Sequence, residues 1–359
     1  MSGAVPTGRA LGACIRAAQG PSGLIGWFPG GHGDPWNHVE AAMALDTLGE
    51  TEASRAAYAW LFAEQSAQGS WAAYYAADGT VEEARVDTNA TSYVATGVAH
   101  HFAAHPDDAF LEEAFPVLEA ALDFVSGLAR PSGAIPWSLE GAVPGTFALL
   151  AASCSIYQSL GSGLALAAHL GARRPQWAEA QRRLRTAIVQ GALAGHDPFF
   201  ADKSEFAMDW YYPVLAGCLE ERAARRQLAA RWCEFVHPGE GVRCRADRRW
   251  VTTAETAELA LALLRLGRRG EAVALLDALG DKAGRGGSYL TGLVYPERSS
   301  FPTGEESTYS AAAALLARDA LAGGAATTAV LLATRRATAS EPQERVGSGA
   351  NSPLAQASR

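Results

Sequence analysis

Apolar residues recur along this chain in two alternating kinds of stretch, and the alternation predicts pairs of helices. The first kind is apolar on nearly every side and rich in Ala, Gly and Ser: DPWNHVEAAMALDTLG (34–49), DTNATSYVATGVAHHF (87–102), SCSIYQSLGSGLALAAHLG (153–171), DWYYPVLAGCLEE (209–221), TTAETAELALALLRLG (252–267) and ESTYSAAAALLARDAL (306–321). The second repeats apolar residues at three and four with Arg and Glu opposite: TEASRAAYAWLFAEQ (51–65), DAFLEEAFPVLEAALDFVSGLA (108–129), PQWAEAQRRLRTAIVQGAL (175–193), ERAARRQLAARWCEFV (221–236) and RGEAVALLDAL (269–279). A helix apolar all round is buried, whereas one with a single apolar face keeps its other side wet.

Six buried helices, each followed by a loop and a more charged helix, form an array of helical hairpins. Their small residues let helix axes approach closely, as an inner ring requires. The predicted fold is therefore all-α, an (α/α)6 toroid of six helical hairpins, and an open solenoid of the same hairpins is the competing arrangement. The toroid is expected over residues 1–322. From 323 to 359 the chain is poor in aromatics and rich in Ala, Thr, Ser and Gly, which predicts a disordered tail.

Composition narrows the partners. With 48% hydrophobic and 19% charged residues and a mean hydropathy of -0.02, the chain can bury a large core. A net charge of -8 and a pI near 5.6 argue against a nucleic-acid footprint. No apolar run approaches the ~20 residues of a membrane span, and the N-terminus has no uninterrupted apolar core of a secretory signal. A cytoplasmic protein is expected. The five cysteines lack any CxxC pair, so neither a disulfide framework nor a zinc site is expected, nor any cofactor.

The starts of the apolar helices collect acids: Asp34, Asp87, Asp209, Glu255, Glu258, Glu305 and Glu306. Taken singly, each is accounted for by the preference of helix N-termini for side chains that accept their free N–H groups. Their aromatic company is not. Trp36 and His38 follow Asp34, Asn89 follows Asp87, Trp210, Tyr211 and Tyr212 follow Asp209, and Trp250 and Tyr295 flank the later acids. Rings beside carboxylates suit a cleft that stacks on sugar faces and places an acid and a base. Rings that merely plug the barrel are the alternative for each one. A separate repeat, best seen in QSAQGSW (65–71) with echoes at 19–27, 130–137 and 284–292, predicts tight Gly turns at hairpin junctions.

The segments at 33–45, 86–102, 202–217, 239–259, 287–296 and 305–317 resemble an actinobacterial family labelled prenyltransferase-like. That resemblance implies the α/α toroid shared by terpenoid cyclases, protein prenyltransferases and six-hairpin glycosidases. The family often has an acidic DDDGSYW-type loop where this chain has GRGGSYL (284–290), and an aromatic where it has Ala99. The stretch 87–125 is similar to a hairpin of glucoamylase-like proteins, whose aspartate and asparagine face the sugar.

A carbohydrate-active enzyme is the expectation these features favour. Glycoside hydrolysis needs one carboxyl protonated beside the leaving oxygen and a second ionised to activate water, about 6.5–9.5 Å apart for inversion. Asp209, between Met208 and Trp210, is the expected acid, and Glu305 is the expected base. Asp34, Trp36, His38, Asp87, Asn89, Trp210, Tyr211, Tyr212, Trp250, Glu255 and Tyr295 are the expected substrate contacts. Prenyl transfer or terpene cyclisation is the alternative. The chain has neither DxDD nor DDxxD, and Cys244, Asp247, His237 and His38 match no strong zinc spacing. Arg243, Arg245, Arg248 and Arg249 suit a diphosphate or simply a solvated loop. A non-catalytic toroid that binds a glycan or a protein partner would use the same rings and acids.

Overall fold

The computed structural model describes residues 4–333, and its helices alternate as the sequence predicts. They are α1 (Gly8–Ala17), α2 (Pro35–Thr47), α3 (Thr51–Glu64), α4 (Thr88–Ala104), α5 (Asp108–Gly127), α6 (Leu150–His169), α7 (Pro175–Thr186), α8 (Ala207–Leu215), α9 (Glu221–Phe235), α10 (Thr253–Arg265), α11 (Arg269–Ala278) and α12 (Thr308–Ala322). Even-numbered helices form the inner ring: α2 packs on α4, α4 on α6, α6 on α8, α8 on α10, α10 on α12, and α12 back on α2. That last contact closes the ring and excludes the open solenoid. The fold is an all-α (α/α)6 toroid.

Each of α3, α5, α7, α9 and α11 packs outside the inner helix that precedes it. The sixth outer place belongs to α1, which lies against α12 and α2. Leu11 and Ile15 supply its buried face. The amino-terminal helix therefore completes the hairpin that the chain begins at its other end.

The inner helices start where their caps dictate. Asp34 accepts the Asn37 N–H, Asp87 accepts those of Asn89 and Ala90, and Ser307 accepts that of Ser310. Small residues allow the close approach of the rings. A Cβ on Gly97 of α4 would come within 2.6 Å of Val39 on α2.

Strands, few of which the sequence suggests, occur as short pieces of the inter-helix loops. A five-stranded antiparallel meander unites Val236–His237, Gly241–Arg243, Trp250–Thr252, Gly292–Val294 and Ser299–Ser300 beside α10. Smaller sheets at Tyr74–Tyr75 with Val81–Glu83, and at Val86–Asp87 with Ser138–Glu140 and Val143–Pro144, frame the starts of α2 and α4.

Three of the four Gly turns share one physical basis. Gly23, Gly69 and Gly133 have φ values of 99°, 90° and 92°, and a Cβ on any of them would collide with a backbone carbonyl of the next outer helix, at Ala56, Ala120 and Arg183. Gln65 Nε2 donates to Gly69 O and Val117 O, and Gln19 Nε2 donates likewise to Gly23 O and Ala53 O. Each turn is thus pinned against the neighbouring hairpin. Gly69→Ala should destabilise the protein by about 2–4 kcal/mol, combining backbone strain with overpacking, and a denaturant titration showing less than ~1 kcal/mol would refute this account.

The expected boundary of the tail is corrected. Ala325–Thr327 and Thr328–Leu332 continue as helical turns, with Thr327, Val330 and Leu331 buried. Sequence composition missed them because their apolar face is too short to show a period. The segment reaches the C-terminal ends of the inner helices: Gln158 Nε2 donates to Val330 O, while Arg265 donates to Leu331 O and Ala333 O. His100 Nε2 lies 3.0 Å from the Thr327 hydroxyl, which donates to Asp319. The remainder of the predicted tail lies outside the described residues. Deleting residues 340–359 should leave the melting temperature within about 2 °C, whereas deleting 324–359 should lower it by roughly 5–10 °C as buried groups of four inner helices lose their partners. Equal melting of the two truncations would contradict this.

Candidate active site

Four inner helices open onto one cleft of about 210 Å³, lined by Trp36 and Asn37 of α2, Asn89 of α4, Ala151 of α6, and Met208 and Tyr212 of α8. The helix starts therefore share one end of the barrel, as the pattern of acids predicts. Asp34 and Asp87 sit in its wall. Asp34 Oδ2 accepts from Trp27 Nε1 and Asn37 Nδ2, each at 2.6 Å. Asp87 Oδ1 accepts two backbone N–H groups, and its Oδ2 accepts from Trp137 Nε1 at 2.9 Å. Burial raises both carboxyls above their usual range, and these donors oppose the shift. Each aspartate is thus a helix cap locked by an indole. Trp27 and Trp137 come from loops outside the inner helices.

Asp209 occupies the first turn of α8, next to Met208 of the cleft wall. Its Oδ1 accepts the N–H of Ala151, another wall residue, at 3.1 Å, so it caps α6 from a neighbouring helix. Burial pushes its carboxyl up to about 6, and nearby Asp202 and Glu205 add to the rise. A carboxyl raised in this way keeps its proton to higher pH than an ordinary aspartate, which favours the state a leaving-group oxygen requires.

Glu305 lies in the loop before α12 and accepts the Thr291 hydroxyl at 2.8 Å. It lines an adjoining cleft of about 510 Å³ with Phe28, Thr303 and Thr308. In the order of the ring, α12 stands opposite α6, so Glu305 and the α6 end that Asp209 caps occupy opposite arcs of the mouth. Glu306, by contrast, is fully used: its two oxygens accept from Gly286 N and Ser288 N, and the altered GRGGSYL loop wraps around it.

Below the cleft lies a polar floor in which the expected Tyr211, Tyr212 and Glu258 meet Glu40, Tyr93 and Tyr309, which the sequence did not single out. Trp36 stacks on Tyr93 with centroids 3.8 Å apart, and Tyr93 donates to Glu40, one turn deeper on α2. Glu258 of α10 accepts from Tyr211, from Tyr212 at 3.0 Å and from Tyr309 at 2.5 Å. Burial drives Glu40 up to about 7 and Glu258 up to about 8, the second further raised by the first. One glutamate spaced a helical turn beyond an aromatic was the available signal, and burial among tyrosines from other helices was not readable.

Several expected contacts are corrected. His38 is fully buried: its Nδ1 accepts the Ile25 N–H, its Nε2 donates to Ala57 O, and burial lowers its pKa to about 4. It is a neutral core histidine. Trp210 turns outward, donating to Gln227 O and stacking on Phe235, because it follows Asp209 on the far side of α8. Trp250 donates to Phe301 O from the five-stranded sheet, and Tyr295 lines a different hollow with His237, Glu240 and Arg243. Tyr211 reaches Glu258 in the floor, and Glu255 of α10 lies beside the Cys244 thiol. Trp36, Asn89 and Tyr212 do reach the cleft. Arg245 and Arg248 both pair with Asp247, as a solvated loop would.

Among the described residues no group of three or more His, Cys, Asp and Glu side chains could hold a metal ion, and no single helix is long and apolar enough to cross a membrane. No protein-family model matches the chain. Over 307 residues it is 44% identical to the MMP endo-(1,4)-3-O-methyl-alpha-D-mannosidase of Mycolicibacterium hassiacum, an overlap that covers 86% of this chain and 84% of that protein. Among solved structures, a wild-type glycosidase superimposes with a TM-score of 0.72 at 16% identity, covering 88% of this chain and 96% of the other. The GH63 mannosylglycerate hydrolase of Thermus thermophilus, in complex with glucose, gives 0.65 at 17%, with coverages of 86% and 98%. Those two likenesses establish the toroid. The sequence likeness goes further: the chain belongs to the family of the Mycolicibacterium hassiacum mannosidase and is a glycoside-hydrolase-like enzyme.

Proposed function

We propose that the protein hydrolyses an α-(1,4)-linked chain of mannose or O-methylated mannose units at the mouth of the toroid, with Asp209 as general acid and Glu305 as general base. The observation that carries this reading is Asp209: it follows Met208 of the cleft wall on a helix start, accepts the N–H of Ala151 of the same wall, and burial pushes its carboxyl up to about 6. The substrate class comes from the mannosidase to which the chain is 44% identical.

The other groups bind and orient. Trp36, held flat on Tyr93, offers a ring to a sugar face. Asp34 and Asp87, already fixed by indole donors, have lone pairs for hydroxyl groups. Arg85 and Asn89 also line the cleft, with a guanidinium and an amide among their polar groups. In the reaction Asp209 gives its proton to the glycosidic oxygen as the bond to the anomeric carbon breaks. Glu305 takes a proton from the water that attacks that carbon.

The test is incubation with a ladder of 1,4-linked α-mannosides, methylated and unmethylated, with isoprenyl diphosphates and other α- and β-glycosides alongside. New reducing ends from the mannosides support the proposal. Turnover of a diphosphate with none of any sugar would put prenyl chemistry in its place. Binding of sugars without any hydrolysis would make the toroid a glycan-binding protein.

A further inference from the structure

The five-stranded sheet has two unlike faces. Val236 and Val242 enter the main core beside α10, whereas Val251, Leu293 and Tyr295 form a small apolar cluster apart from it. Residues two apart on a strand share a face, and the register puts Arg243 opposite Val251 and Val251 opposite Leu293. One step further along the same face, the Tyr295 N–H donates to Arg249 O at 2.9 Å. Arg243, Arg249, Val251 and Tyr295, with His237 and Glu240, line a hollow of about 290 Å³. It shares no lining residue with the mouth cleft or with the cleft that contains Glu305.

The charge of this hollow runs against that of the chain. Arg245 and Arg248 pair with Asp247, while Arg243 and Arg249 have no carboxylate partner among the described residues. Arg243 Nη1 donates to Ala246 O at 3.3 Å. Burial, and then the charge of Arg243, hold His237 below its usual pKa, so its imidazole is neutral at pH 7. Lys282, fully buried, donates to the carbonyl of Glu240 and, at 3.5 Å, to that of Ala278. Burial lowers its pKa to about 8, which keeps the ammonium charged at pH 7. Glu240 is the acid of the lining, 3.6 Å from His237 Nδ1, and the nearby Asp281 and Arg298 neutralise each other. Two guanidiniums and an ammonium against one carboxylate leave an excess of positive charge in a chain of net charge -8.

That excess suits a dianion. One guanidinium can satisfy both oxygens of a carboxylate, whereas two of them from neighbouring strands suit the three terminal oxygens of a phosphoryl group. The volume is near the lower end of the roughly 300–1,000 Å³ of ligand sites, so the remainder of the ligand is small. We propose that this face of the sheet is a binding site for a small phosphate compound, inorganic phosphate or the phosphate monoester of a sugar-sized molecule, held between Arg243 and Arg249. The site stands independently of the hydrolysis proposed above.

Titration calorimetry of the full chain with inorganic phosphate and with glucose 6-phosphate, in a phosphate-free buffer at constant ionic strength, tests the site. The expected result is one phosphate bound per chain, about tenfold or more weaker in Arg243→Gln and in Arg249→Gln. Arg248→Gln, whose guanidinium pairs with Asp247, should stay within about twofold of the wild type. Melting of each variant is compared first, and the exposed Arg249 keeps the test open should Arg243→Gln fail to fold. Inorganic phosphate bound as tightly as the ester, or more so, identifies the free anion as the ligand; tighter binding of the ester, still sensitive to both variants, identifies a phosphate monoester. Binding of neither probe, or equal losses in all three variants, would overturn the site.

Discussion

Asp209→Asn and Glu305→Gln should each cut turnover by roughly 10²–10⁴-fold, the usual worth of a positioned acid or base, with the melting temperature almost unmoved. Both changes keep shape and an acceptor oxygen, so the Ala151 N–H and the Thr291 hydroxyl retain partners. What is lost is the proton in one case and the charge in the other. A role limited to capping predicts full activity instead, since Asn and Gln still accept these hydrogen bonds. The pH profile adds an independent reading. Because Asp209 titrates at about 6 and acts in its protonated form, kcat/KM should fall as pH rises above that value. A flat alkaline limb from pH 6 to 9 would assign the acid elsewhere.

Stability should fall as pH rises from about 5 to 8. Glu40 and Glu258, at about 7 and about 8 in the folded barrel, stay protonated there over a range in which the unfolded chain, near 4.5, has released those protons. The folded state then binds more protons than the unfolded one, so the slope of stability against pH is negative until both groups have ionised. Calorimetry at constant ionic strength should show a drop in melting temperature on the order of 5 °C or more across the window. Glu258→Gln should flatten that slope, since an amide can accept from Tyr212 and Tyr309 without ionising. A melting temperature that rises with pH would show that the tyrosine donors, rather than burial, decide the state of the pair.

The inner helices were legible because burial on all sides leaves a plain mark, an unbroken run of Ala, Leu, Gly and Ser as in α12. Five outer helices were legible through their charged faces. The sixth, α1, is amphipathic but only ten residues long with two glycines, and it precedes the first apolar helix instead of following the last, so the hairpin pattern did not include it. In the site, acids at helix starts could be located from capping preferences alone. Which aromatic faces the cleft could not, because one step along α8 rotates a side chain by about 100°: Tyr212 looks inward while Trp210 packs against α9. Pairs such as Trp137 with Asp87 and Tyr309 with Glu258 depend on one hairpin having packed on the next, and local sequence contains no trace of them.

The pairing of α1 with α12 also sets the order in which the molecule can be made. During synthesis α1 precedes its partner by about 300 residues, which at about 5–20 residues per second is a wait of roughly 15–60 s. For that time Leu11 and Ile15 have no α12 surface to cover them, and the five hairpins already made form an arc with two open ends. Final closure therefore waits until α12 has been made. A permuted gene that begins at α2 and carries α1 after α12 would synthesise these two partners back to back and should shorten the interval between release and activity.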